Sequence, residues 1–80
     1  MPSGPQLKPA ESAVLSVLGK NLKSCRQAAG LTQVQLAERA NLAPRVLQSI
    51  EAGKLNILVT TLHRLHVALG CSIENLMNSK

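Results

Sequence analysis

Residues 31–53, LTQVQLAERANLAPRVLQSIEAG, leave the chain few ways to fold. Thr32 with Gln35 three positions later is a capping box that opens a helix. Val34, Leu36, Ala37 and Ala40 supply its expected inner face. Asn41 ends it, being one of the few residues besides glycine that tolerates a positive φ. Pro44 then opens a second helix at the first position, where a missing N–H costs nothing, and Gly53 closes it. Two short helices and a tight turn are therefore expected at about 32–52. At about 100° per residue, Val46, Leu47 and Ile50 of the second helix group on one side. Arg45, Gln48, Ser49 and Ala52 group on the other.

The flanking segments also read as helices. Leu15, Leu18, Leu22, Cys25 and Ala29 recur at steps of three and four, one stripe of a helix beginning at Glu11 or Ser16 and stopped by Gly30. Gly19 interrupts that pattern. A fourth helix is expected over about 58–69, with Leu58, Leu62, Leu65 and Leu69 inward and Gly70 as its stop. Ser72 caps a short fifth helix, with Cys71 and Leu76 placed as a hydrophobic staple. Residues 1–10 hold Pro2, Gly4, Pro5 and Pro9 without any apolar period, which predicts a disordered arm ahead of a helix-turn-helix domain over 11–80, with Pro9 suited to the first turn of the helix that follows.

A chain of 80 residues is one small domain, able to hide only about 60% of its extended surface. It contains no Phe, Trp or Tyr, so the core must be aliphatic, which suits close-packed short helices better than a sheet. The net charge is +5, and its middle is basic: Lys20, Lys23, Arg26, Arg39, Arg45 and Lys54 face only Glu38 and Glu51. That balance fits either a polyanion partner or a solvated surface. Cys25 and Cys71 lack metal-type spacing and fall on apolar faces, so both are expected buried and reduced. No apolar run is long enough for a signal peptide or membrane span, which predicts a cytoplasmic protein without membrane contact.

The chemistry points to double-stranded DNA as partner. A helix that reads base edges needs an apolar back and donors or acceptors on its front. Arg45 can pair with guanine O6 and N7, Gln48 with adenine N6 and N7, and Ser49 with either base type. Gln33, in the first turn of the preceding helix, can meet a phosphate together with the free N–H groups there. Lys54 and Asn56 follow in a loop as backbone anchors. Catalysis finds no support: there is no nucleophile elbow, phosphate-binding glycine loop or carboxylate pair. His63 and His66 share a helix face, but two histidines do not make a closed ligand set, so neither metal nor cofactor is expected.

The chain resembles the Cro/repressor-type (XRE-like) helix-turn-helix family over about 18–77. The matching pieces are residues 22–26, Gly30-Leu31-Thr32-Gln33, Leu36-Ala37, Ile50-Glu51-x-Gly53 and Ala68-Leu69-Gly70 with Leu76. The resemblance implies an all-α, five-helix, lambda-repressor-like DNA-binding domain acting as a dimeric repressor, with reading helices about 34 Å apart. It implies base-facing positions at Pro44, Arg45, Gln48 and Ser49, and phosphate positions at Thr32, Gln33, Ala43, Lys54 and Asn56. It also implies that Arg26 and Glu51 form a structural ion pair. Four positions depart from the pattern. Ala43 stands where a capping Ser or Thr is common, and Pro44 where a Gln often buttresses the equivalent of Gln33. Ile57 replaces a frequent Pro, and His66 a small residue. The alternative is an antitoxin-like interaction module with a toxin partner, which an apolar patch at Val14 and Val17 or on the fifth helix would favour.

Overall fold

The computed structural model describes residues 7–78, and those residues form five helices. They are α1 (Pro9–Ala28), α2 (Gln33–Arg39), α3 (Pro44–Glu51), α4 (Val59–Leu69) and α5 (Ile73–Met77). α1 begins earlier than the apolar stripe predicts. Pro9 occupies its first turn, and the Glu11 carboxylate accepts the Lys8 backbone N–H at 2.8 Å, which fixes the start by capping rather than by burial. Pro9 and Ala10, expected in the arm, are thus helical. Residues 1–6, the rest of that arm, lie outside the described residues.

Three of the helix ends are built alike. Gly30, Asn41 and Gly53 adopt φ values of 73°, 57° and 73°. The residue after each donates its N–H five positions back: Leu31 to Arg26 (3.1 Å), Leu42 to Ala37 (2.8 Å) and Lys54 to Ser49 (3.0 Å). This is the Schellman arrangement, and it reverses the chain while satisfying last-turn carbonyls. Leu31 and Leu42 then pack on the core, so each stop also delivers an apolar side chain inward.

The core is Leu18, Leu22, Leu36, Ala37, Ala40, Leu47, Ile50, Leu65 and Leu76. α1 packs against α3 and α5, α2 against α3 and α4, and α4 against α5. Gly19 does not break α1. A methyl group there would sit 2.5 Å from the Glu51 carbonyl oxygen and 2.6 Å from that of Ile50, so glycine lets α1 lie directly on the end of α3. Two expected inner-face residues are not inward: Val34 is 61% exposed and Leu58 72% exposed. Leu58 is the N-cap of α4 rather than part of it, so helical spacing does not apply, and Thr61 takes the buried position instead. Ala29, the last member of the α1 stripe, is exposed as a C-cap. Cys25 and Cys71 are half-buried rather than sealed in the core.

Candidate nucleic-acid interface

α3 divides into two faces. Leu47 and Ile50 are buried and Val46 is half-buried, so the back of the helix is spent on the core. Pro44, Arg45, Gln48 and Ala52 are exposed, and Ser49 is half-buried. The front therefore projects Arg45 and Gln48 one turn apart, with Ser49 recessed beside them. Pro44 sits in the first turn, and Ala43 is the N-cap without a side-chain hydrogen bond. Any contact Ala43 makes to a phosphate runs through its main chain.

Behind this face lies a polar cluster that holds the helix in place. Arg26 on α1 donates through Nε to Glu51 Oε2 at 2.6 Å and through Nη2 to Glu51 Oε1 at 3.1 Å. Its Nη1 donates to the Leu31 carbonyl at 2.8 Å. The paired side chains are only 10% and 4% exposed. The Arg26–Glu51 pair is thus bidentate and sheltered from solvent, the geometry in which such a pair fixes orientation. Its net contribution to stability is small, but loss of either partner strands a buried charge.

Gln33 belongs to the same cluster. Its Nε2 donates to Glu51 Oε1 at 2.9 Å, and the residue is half-buried. Sequence reasoning assigned this side chain to a phosphate and missed the bond to Glu51. The available signal was Pro44: with no polar side chain there to pair with, Gln33 turns to the carboxylate that ends α3. Glu51 therefore ties together α1, the start of α2 and the end of α3.

The remaining phosphate-side residues are not all together. Thr32 is exposed and its hydroxyl is engaged, accepting the Gln35 N–H at 3.1 Å while Gln35 Oε1 accepts the Thr32 N–H at 2.9 Å. The box leaves the first-turn N–H groups of Gln33 and Val34 without an intrahelical partner. Lys54 is exposed just beyond α3. Asn56, also exposed, borders a groove with Leu7, Glu11, Val14 and Leu15 on the α1 side, apart from the α3 front.

The histidines have structural surroundings. His66 Nδ1–H donates to the Cys71 carbonyl at 3.0 Å, and the two histidine rings meet edge to face with centroids 5.3 Å apart. Among the described residues, no three His, Cys, Asp or Glu side chains come together in a way that could hold a metal ion. Nor is any helix among them long and apolar enough to cross a membrane.

Comparison with known proteins adds an independent line. A family model described as helix-turn-helix matches residues 22–76. The chain is 36% identical over 63 residues to an immunity repressor protein from Bacillus phage phi105, a match covering 79% of this chain and 44% of that protein. The chain thus spans less than half the length of the phage repressor. It is 38% identical over 56 residues to an uncharacterized transcriptional regulator from Sinorhizobium fredii, covering 70% and 73% of the two chains. Among solved structures, the restriction-modification controller protein C.AhdI from Aeromonas hydrophila superimposes with a TM-score of 0.77 at 30% identity, covering 80% of this chain and 97% of that one.

Proposed function

The chain belongs to the helix-turn-helix family of DNA-binding transcriptional regulators, and from that premise we propose that it is a sequence-specific, dimeric repressor whose operator is read by the front of α3. The observation that carries this reading is the exposure of Arg45 and Gln48 on a helix whose back is packed on the core. Arg45 is assigned to guanine and Gln48 to adenine in the major groove. Ser49 is a permissive contact and Pro44 an apolar one, to a thymine methyl. The start of α2, the Ala43 main chain and Lys54 anchor phosphates on either side, with Asn56 a more distant member of the set. Cytoplasmic action follows from the same reading, because the operator is there.

Dimerisation is supported by a separate surface. Leu58 and Val59 are 72% and 81% exposed, and Val14 and Met77 are 47% and 40% exposed. With Leu15, Leu18 and Leu62 they line a groove of about 200 Å³ between α1 and the start of α4. Ala13, Val14, Val17 and Met77 border a second groove beside it. A contiguous apolar face on so small a domain marks a contact surface, and a symmetric dimer needs one self-complementary patch of this kind. The same patch also favours the antitoxin-like reading, in which a toxin-type protein covers it. Sedimentation of the chain alone separates the two: a dimer at micromolar concentration supports self-association, and a monomer supports the unlike partner.

The test of DNA reading is salt-titrated binding to duplex DNA. Phosphate neutralisation predicts an affinity loss of at least about 100-fold between about 50 and 200 mM salt. Absent or salt-insensitive binding would contradict it.

A further inference from the structure

Lys20 and Lys23 belong to the basic middle of the chain, and the reading face of α3 uses neither. Both are exposed on α1, and the seating of α1 on α3 sets the flank they occupy. A methyl group on Gly19 would lie 2.5 Å from the Glu51 carbonyl oxygen, and one on Gly53 would lie 3.0 Å from the Ser16 Cα. From Ser16 to Gly19, α1 thus runs beside the end of α3. At about 3.6 residues per turn, Lys20 stands one turn beyond Ser16 and Lys23 one turn beyond Gly19. The two lysines therefore border the seam between α1 and the end of α3. Lys54, also exposed, follows Gly53 directly at the same seam. α5 lies on the opposite flank of α1, where Asn21 Nδ2 donates to the Leu76 carbonyl at 2.9 Å.

No anion of the protein answers this ridge. The chain has four acidic residues, and the one at the seam, Glu51, has both carboxylate oxygens engaged by Arg26 and Gln33. Glu11 caps the start of α1, Glu38 stands at the far end of α2 and Glu74 in the first turn of α5. Among the described residues, neither the Lys20 nor the Lys23 side chain has an ion-pair or hydrogen-bond partner. Nor does the end of α3 need an ammonium as a cap, because the carbonyls of Gln48, Ser49 and Ile50 already accept the N–H groups of Ala52, Lys54 and Gly53. Like charges one turn apart on a helix repel, and a row of anions laid along them reverses that cost. Lysine, a point charge on a flexible stem, suits a phosphate and asks for no base geometry.

We propose that Lys20 and Lys23, continuous with Lys54, form a sequence-neutral contact to the DNA backbone beside the segment that α3 reads. The proposal rests on the DNA reading above and divides its work. The front of α3 selects bases, and the ridge supplies affinity for any duplex, since phosphate contacts position a protein without reading sequence. Continuity along the seam identifies the occupant as a chain of phosphates rather than one isolated anion. From Ser16, where Lys54 joins, to Lys23 the ridge runs about 10 Å along α1. Over that length one strand of a duplex presents about three phosphates.

The experiment measures binding of the full chain to two duplexes of equal length, one selected by the parent from a random pool and one of random sequence, between about 50 and 200 mM salt. In the double variant Lys20→Gln, Lys23→Gln, the slope of log affinity against log salt should fall by about 1.8, or about 0.9 per lost phosphate contact. Across that range the parent should then lose about 10-fold more affinity than the variant. The effect should be equal on both duplexes, with base preference and unfolding midpoint unchanged, and Lys20→Arg, Lys23→Arg should restore the slope. Arg39→Gln, Arg64→Gln removes the same charge from the groove between α2 and α4 and should leave the slope close to that of the parent. An unchanged slope in the first variant, an equal fall in the second, or a lowered unfolding midpoint that accounts for the loss would overturn the proposal. A parent that binds steeply while the lysine variant matches it sinks the ridge alone, whereas a parent that binds neither duplex sinks the DNA reading itself.

Discussion

Arg26 and Arg45 carry the same side chain and stand in opposite circumstances. Arg26 is 8% exposed, with Nε and Nη2 on Glu51 and Nη1 on the Leu31 carbonyl. Arg45 is exposed on the front of α3 with its guanidinium in solvent. The two sides of one short helix have thus been given different work. The rear is fixed by apolar packing and a sheltered ion pair, and the front keeps its donors free. A fixed rear is what makes an exposed front useful, because base-edge hydrogen bonds reward side chains only when the backbone beneath them is already placed.

That contrast can be broken from either side, beginning with the largest effect. Arg26→Ala leaves the Glu51 carboxylate, 4% exposed as a side chain, without its countercharge, and should cost about 3–5 kcal/mol of stability in urea titration. DNA binding should then fall only as the folded fraction falls. Gly19→Ala drives a methyl group into the backbone carbonyls of Ile50 and Glu51, which no side-chain rotation can relieve. It should cost about 2–3 kcal/mol by the same measurement. Arg45→Ala should cost about 1–3 kcal/mol in operator binding, while its unfolding midpoint stays close to that of the parent chain. Gly30→Ala meets open space and suffers only from its φ of 73°, so about 1 kcal/mol of stability should be lost. If Gly30→Ala proves costlier than Gly19→Ala, the close seating of α1 on α3 is not what the fold depends on.

The sequence reveals the rear of α3 more completely than its surroundings. Caps, stops and apolar spacing locate all five helices, because those signals are local and each has its own chemistry. Val34 and Leu58 show where local reasoning fails. A helical wheel divides a segment into sides but does not know whether a neighbour covers a side, and α2 is too short for its stripe to decide. Leu58 was placed by a spacing that starts one residue too early. The Arg26–Glu51 pair came from family resemblance, and the distances support it. The Gln33 bond to Glu51 depends on how separate helices pack, which no spacing along the chain records. For the front of α3, exposure of Arg45 and Gln48 is what a reading face requires.

The most direct measurement is the base preference of Arg45→Ala beside the parent chain, on duplexes selected from a random pool by the parent, at one fixed salt concentration. A loss of about 10-fold or more on the selected duplex, with preference relaxed at one base pair and the unfolding midpoint unchanged, is the predicted result. Unaltered affinity and unaltered preference would contradict the placement of the reading face on α3.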